Sequence, residues 1–295
     1  MSRRGWSLML LVALSAGCAA RTAPPSTTVA PPAAAPAGAA AATPPLPAAV
    51  ESVDAVLWTQ TAVEYRASAQ QAYTLARLQL DRALADRSWT AATEQTGRPA
   101  EQLPPAVILD ADETVVDNSA FQARLIEDGD TYNPTNWAAW VNERKATAVP
   151  GAVAFTQYAQ SRGVTVFYVT NRDAALEPAT RDNLAALGFP LDPARDTVLT
   201  RLERPDWPSD KTSRRAHVAN EFRVLLLVGD DLGDFLPNRG SVAERDARVA
   251  PYAEWWGTKW IVLPNPMYGS WLTALTVAPA GAPAPPKRQA LRPLR

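Results

Sequence analysis

Apolar and polar positions fall into distinct regimes along the chain. From Val53 to Glu94 the apolar residues recur at helical spacing (Val53, Val56 and Leu57, then Ala72, Leu75 and Ala76, then Leu80 and Leu84) with no proline among them. This predicts one long N-terminal helix or a helical pair packed on a core. After Pro104 and Pro105 the pattern changes to short apolar runs at Ala106–Leu109, Val164–Val169, Thr197–Leu199, Val224–Val228 and Lys259–Leu263. Runs that are apolar throughout, rather than alternating, belong to strands covered on both faces. The stretches Ala152–Arg162, Pro178–Leu187, Thr212–Glu221 and Val242–Tyr252 read as intervening helices. Alternation of this kind predicts an α/β fold, a doubly wound parallel sheet with flanking helices.

The two ends fit neither pattern. Residues 19–48 are dominated by Ala, Pro and Thr, and residues 279–295 by Ala, Pro, Lys and Arg. Such compositions bury too little apolar surface to offset chain entropy, so the first is expected to be a disordered tether and the second a disordered basic tail. One folded domain, 49–278, lies between them. Residues 1–18 read as an export signal: Arg3 and Arg4, an apolar run from Leu8 to Leu14, then Ser15-Ala16-Gly17-Cys18. The run is shorter than a membrane span. The small residues before the cysteine resemble a bacterial lipobox, although Ser15 stands where an aliphatic residue is more usual. Lipidation of Cys18 is therefore expected, placing the protein as an outer-membrane-anchored periplasmic lipoprotein of the cell envelope.

Composition then narrows the function by exclusion. With 29 basic and 30 acidic side chains the net charge is −1, which leaves no electrostatic footprint for a nucleic-acid polymer and favours a small soluble substrate. Hydrophobic residues make up 47% and there are ten tryptophans, enough for a core without disulfides. Cys18 is the only cysteine and His217 the only histidine. A cysteine phosphatase, a phosphohistidine enzyme with Arg-His-Gly, and a serine triad with a GxSxG elbow are all excluded on these residues.

In an open parallel sheet, ligands bind beyond the carboxyl ends of the strands. The first run is followed by Asp110-Ala111-Asp112-Glu113-Thr114, the second by Thr170-Asn171-Arg172, and the fourth by Gly229-Asp230-Asp231-Leu232-Gly233-Asp234. Lys211 stands at the start of a predicted helix between the third and fourth. Asp110, Asp112, Asp230 and Asp234 in one cleft would require a neutralising cation. An oxygen-only donor set selects a hard ion, and Mg²⁺ is the usual occupant. Lys211 and the Thr170 hydroxyl would supply charge and a donor to a phosphoryl group.

These residues resemble, in order, the four motifs of the haloacid dehalogenase (HAD) superfamily. More narrowly, DADETVVDNS at 110–119, NWAAWV at 136–141, VFYVTNR at 166–172, GDDLGDF at 229–235 and LPNPMYGSW at 263–271 resemble the lipoprotein (class C) acid phosphatases and 5′-nucleotidases, across Val53 to Trp271. The resemblance implies a Rossmann-like HAD fold with a small helical cap insertion around Phe121–Val149. It implies that Asp110 attacks phosphorus to give an aspartyl-phosphate, and that Asp112 protonates the leaving group and later activates water. It assigns Mg²⁺ to the Asp110 carboxylate, the Asp112 main-chain carbonyl and Asp230, with Asp234 in support. Thr170 and Lys211 would hold the phosphoryl group, while Trp137 and Tyr268 would flank a phosphomonoester substrate such as a nucleoside 5′-monophosphate.

An acid at position 112 favours ester hydrolysis over dehalogenation. Ala111, Asp231 and Gly233 depart from the family pattern, and Asp231 adds charge near the metal. Trp140 is expected in the core, and Asn171 and Arg172 either orient their loop or touch substrate. Two other functions use these residues: phosphotransfer to an alcohol through the same site, and non-catalytic binding of a nucleotide or cofactor by an envelope lipoprotein.

Overall fold

The computed structural model describes residues 52–278 and 281–292. The predicted signal with Cys18 and the 19–48 tether lie outside the described residues. Five strands form one wholly parallel sheet: β1 (Pro105–Leu109), β4 (Thr165–Asp173), β5 (Val198–Arg201), β6 (Arg223–Gly229) and β7 (Trp260–Val262). Their spatial order is β5-β4-β1-β6-β7. All five expected strands are present, and the α/β, Rossmann-like class is as the pattern predicts. The apolar runs are continuous because both faces are covered. Val107 and Leu109 of β1 enter one core with Tyr73, Leu80 and Phe155, whereas Ala106 and Ile108 enter the other with Trp207, Val218 and Trp260.

The N-terminal helical stretch is a pair, α1 (Val53–Thr61) and α2 (Val63–Ala85), broken at Ala62, whose backbone is extended (ψ 133°). The chain then leaves the helix, and Thr93–Gln95 forms a 3₁₀ turn. The expected cap insertion is α3 (Ser119–Glu127) and α4 (Pro134–Glu143), rooted on a two-stranded antiparallel ribbon of β2 (Val116–Asp117) and β3 (Thr147–Ala148). Helix α4 begins where it does because Asn133 and Asn136 form a reciprocal capping box and Pro134 occupies the first turn.

The connecting helices are α5 (Ala152–Ser161), α6 (Glu177–Ala186), α7 (Thr212–Glu221) and α8 (Val242–Val249), followed after β7 by α9 (Ser270–Ala274). The expected helix Val242–Tyr252 stops at Val249 and continues as 3₁₀ turns, Ala250–Trp255. Pro251, which has no N–H, prevents the α-helical ladder from continuing. Of the tail, residues 281–292 are described and include a 3₁₀ turn at Lys287–Ala290.

With β1 central and β4 and β6 on either side, the residues following these three strands share one end of the sheet. That placement brings separated sequence motifs into a single cleft.

Candidate active site

Asp110 follows β1 directly, and its N–H donates to the Val228 carbonyl of β6 at 2.9 Å, so the sheet itself fixes its backbone. Its carboxylate accepts from Lys211, which also donates to Asp234 Oδ1 at 2.7 Å. Lys211 is the N-cap residue of α7 and is buried. Burial works against its charge, but Asp110 and Asp234 outweigh that and hold the ammonium above its ordinary range. For Asp110 itself burial is the largest influence. Lys211 opposes it and Asp234 and Asp112 reinforce it, and the carboxyl is pushed up to about 7. Asp230, partly buried, is raised well above the carboxylate range by desolvation and by its neighbours Asp234 and Asp110.

The acidic loop after β6 is tightly built. Asp234 Oδ2 accepts from the N–H groups of Asp230 (3.1 Å) and Asp231 (3.0 Å). Gly229 is required here, since a Cβ at that position would overlap the Asp234 side chain. Asp230 accepts from Thr114 Oγ1 (3.2 Å) and Asn265 Nδ2 (2.8 Å).

Asp231, the departure that adds charge, is used elsewhere. It accepts from Ser270 N (2.7 Å), Ser270 Oγ (2.6 Å), Asn238 Nδ2 (2.8 Å) and Gly233 N (2.8 Å). Burial pushes its carboxyl up, but these donors prevail and hold it below its ordinary value. Its contacts tie the loop that bears Tyr268 to the acidic loop.

Asp112 sits in different surroundings. Arg172, with a side chain only 1% exposed, reaches Asp112 Oδ1 from Nη2 at 2.7 Å and from Nε at 3.0 Å. Asn118 Nδ2 donates to the same oxygen at 2.9 Å, and its own Oδ1 accepts from Trp140 Nε1 at 2.9 Å. Trp140 is therefore a core residue, as expected, whose polar tip orients Asn118. Glu113 turns the chain in the left-handed region (φ 56°) and is buried against Asn118, which donates to it from the backbone at 2.7 Å. Burial and the nearby Asp112 raise the Glu113 carboxyl well above its ordinary value. The Thr170 hydroxyl lies 3.4 Å from Asp112 Oδ2.

These groups open into a cleft of about 650 Å³ lined by Asp110, Asp112, Lys211, Asp230, Trp137 and Tyr268, with Lys287 of the tail also on its wall. Trp137 is held edge-on to Phe121 (ring centroids 5.1 Å) and lies 5.5 Å from the Arg172 guanidinium. His217 packs beside Trp207 (5.3 Å) and does not line the cleft.

Of the four aspartates named for a metal, the carboxylates of Asp110, Asp230 and Asp234 have oxygens within 4.8 Å of one another. That all-oxygen group, in which burial and then mutual repulsion raise Asp110 and Asp230, fits a hard divalent ion. The Asp112 carboxylate is not in this group, because Arg172 and Asn118 engage it.

The sequence reading missed the residues that position these groups: Arg214 and Arg215 on α7, Asn118, Asn265 and Glu94. Arg215 donates to the carbonyls of Gly233 (3.2 Å) and Asp234 (3.3 Å) and pairs with Glu94 (2.9 Å). The adjacent Arg-Arg pair on the helix started by Lys211 was the available signal.

Comparison with known proteins agrees with this geometry. The family described as HAD superfamily, subfamily IIIB (Acid phosphatase), matches residues 26–271. A solved structure of the class C acid phosphatase from Bacillus anthracis is 36% identical, with a TM-score of 0.67, covering 78% of this chain and 90% of that one. A crystal structure of class C acid phosphatase from that organism with tungstate bound is 35% identical, with a TM-score of 0.66, covering 77% and 89%.

Proposed function

The chain belongs to the subfamily IIIB acid phosphatases of the HAD superfamily, and from that membership we propose the reaction course, metal and substrate of its phosphomonoesterase activity. The observation that carries the proposal is the contrast between two carboxylates two residues apart. Asp110 faces Lys211 and the acidic group, whereas Asp112 is gripped by Arg172 and Asn118. Carboxylates in such different environments serve as nucleophile and as acid–base.

Asp110 attacks phosphorus in line with the ester bond. The P–O bond breaks as Asp112 gives its proton to the departing oxygen, leaving an aspartyl-phosphate. Asp112 then takes a proton from water, which attacks the same phosphorus, releases inorganic phosphate and restores Asp110. Lys211 and the Thr170 hydroxyl hold the phosphoryl oxygens through both steps. Mg²⁺, held by Asp110, Asp230 and the Asp112 carbonyl with Asp234 behind, would supply further charge neutralisation at those oxygens.

The cleft is larger than a phosphate requires, and four aromatic side chains, Phe121, Tyr132, Trp137 and Tyr268, line it. This supports aryl phosphates and nucleoside 5′-monophosphates as substrates, with Trp137 and Tyr268 stacking on the ring. Tungstate binding by the related Bacillus anthracis enzyme supports recognition of a tetrahedral oxyanion. The N-terminal pattern ending at Cys18 supports a lipid-anchored, periplasm-facing location.

The test is phosphate release from an aryl phosphate and a nucleoside monophosphate, with and without Mg²⁺, by the protein and its Asp110→Asn variant. Metal-dependent release lost in the variant is expected. Release indifferent to Asp110 would overturn the reaction course, and added glycerol would reveal any phosphoryl transfer to an alcohol.

A further inference from the structure

We propose that the amino end of the sheet, opposite the cleft, carries a second anion site. It is built from Arg87, Arg98 and Lys259 and takes a compact phosphate-type oxyanion, either free phosphate or a phosphodiester headgroup.

Because the strands are parallel, the residues that precede them gather at one end of the sheet. Lys259 stands directly before β7. The segment that leads from α2 into β1 is tied to β6 at that end, with Ala91 N donating to the Val224 carbonyl and Arg223 N to the Pro104 carbonyl, each at 2.8 Å. Between these segments lies a cavity of about 220 Å³ whose wall includes Arg87, Arg98, Lys259, Trp255 and Glu101. Pockets for drug-sized ligands run to about 300–1,000 Å³, so this one suits a smaller group. Three positive charges face one negative, and the hydroxyls of Thr90 and Thr96 on the same wall are further donors for oxygen.

The cations are positioned without being neutralised. Arg98 donates to Asn220 Oδ1 at 3.0 Å and to the Glu94 carbonyl at 3.4 Å, and Arg87 donates to the Glu101 carbonyl at 3.3 Å. Lys259 Nζ lies 4.3 Å from the Trp255 ring centroid and 5.7 Å from that of Trp89. Among the described residues none of the three forms an ion pair within 4.0 Å. Neighbouring acids are engaged elsewhere: Glu94 pairs with Arg215, and Asp86 accepts from Ser88 N (2.9 Å) and Oγ (2.6 Å).

Arg223, 4% exposed at the start of β6, adds a fourth cation to this end of the sheet. Its Nη1 meets only the carbonyls of Ala83, Asp86 and Trp89, and its Nε has no partner. Burial lowers this guanidinium, and Arg87 lowers it further. Crowded like charges repel, and an oxyanion held by Arg87, Arg98 and Lys259 offsets that repulsion. The active-site residues follow the strands at the other end, so an anion here leaves the cleft open.

The full chain is used with Cys18→Ser, which removes the expected lipid attachment point. Inorganic phosphate is titrated calorimetrically into the Mg²⁺-loaded protein, and retention on phosphatidylglycerol and phosphatidylcholine vesicles is measured in parallel. Arg87 and Arg98 are exposed and touch only neutral acceptors, so Arg87→Gln and Arg98→Gln should leave the melting temperature and kcat/KM for an aryl phosphate unchanged. Each should weaken phosphate at the second site roughly tenfold, and the pair Arg98→Gln/Lys259→Met should bind one phosphate fewer than the parent. Preference for phosphatidylglycerol that is lost in the pair assigns the site to a headgroup, whereas phosphate binding without vesicle preference assigns it to the free anion. Phosphate titrations and vesicle retention that are the same in parent and pair overturn the proposal.

Discussion

Replacing Arg172 by glutamine is expected to damage proton transfer to the leaving group far more than phosphate binding. Arg172 meets Asp112 Oδ1 through two nitrogens, at 2.7 and 3.0 Å, with the guanidinium 1% exposed and the carboxylate 18% exposed. Breaking a buried pair by removing one partner costs about 3–5 kcal/mol. Asp112 keeps its bond from Asn118 and some access to water, so the lower figure, about 3 kcal/mol, applies. For a domain of this size that corresponds to a melting temperature lower by roughly 6–12 °C. General acid catalysis contributes about 10²–10⁴ in rate, and an unanchored Asp112 forfeits much of it when the leaving group is a poor one.

The assay is kcat/KM over a series of phosphomonoesters graded by leaving-group pKa, at a temperature where the variant is folded. Alkyl phosphates should lose about a hundredfold, and p-nitrophenyl phosphate, whose leaving group departs without a proton, less than about tenfold. Arg172→Lys should fall between, since it keeps the charge without the two-pronged grip. A uniform loss across the series would refute the reasoning, because it would show that Arg172 does not act through Asp112.

Gly229→Ala forces a methyl group onto the Asp234 side chain. It should cost about 1–3 kcal/mol of stability and abolish metal-dependent turnover, read by thermal melts and phosphate release. Asp231→Asn keeps one acceptor but turns the other into a donor toward Ser270 or Gly233. The loop carrying Tyr268 should loosen, raising KM for aromatic phosphates severalfold with little change in kcat, so a pure kcat effect would instead put Asp231 at the metal. Because Asp110 is raised from 3.8 to about 7, protons compete with a cation for the site. Mg²⁺ affinity measured calorimetrically should fall roughly tenfold from pH 7 to 5.5. By the same linkage, the Asp110 contribution to the stability of the metal-free protein is complete below about pH 3.8 and disappears as pH rises through about 7. Melts of chelator-treated protein that improve across that window would contradict this assignment.

The strands were legible because parallel strands buried on two faces leave continuous apolar runs, and the residues after β1, β4 and β6 announced the cleft by being polar where the runs stop. Helix ends were less legible. The stop at Val249 depends on Pro251, and the break at Ala62 has no breaker residue to mark it. The supporting network was hidden for another reason. Arg172, Arg214 and Arg215 are buried, but an arginine in a sequence carries no sign of whether its head group meets water or a carboxylate from a distant segment. Asn265 reaches Asp230 across 35 positions, a pairing that the parallel alignment of β6 and β7 creates. From the sequence Asp231 is extra charge near a metal, whereas four donors from three segments draw it away.

The beginning of α7 has a consequence for folding. Lys211, Arg214 and Arg215 crowd cations at the end of a helix whose dipole disfavours them, and Asp210 is the acid that answers locally, accepting from Thr212 N at 2.8 Å. As an isolated segment this turn should resist forming. It becomes stable when Asp110, Asp234 and Glu94 arrive from β1, β6 and the N-terminal 3₁₀ turn, so the helix start and the assembled cleft form in one cooperative step. Asp234 and Glu94 hold Lys211 and Arg215 in place, so residues of the cleft also complete the folding unit, and this chain has little freedom to shed them.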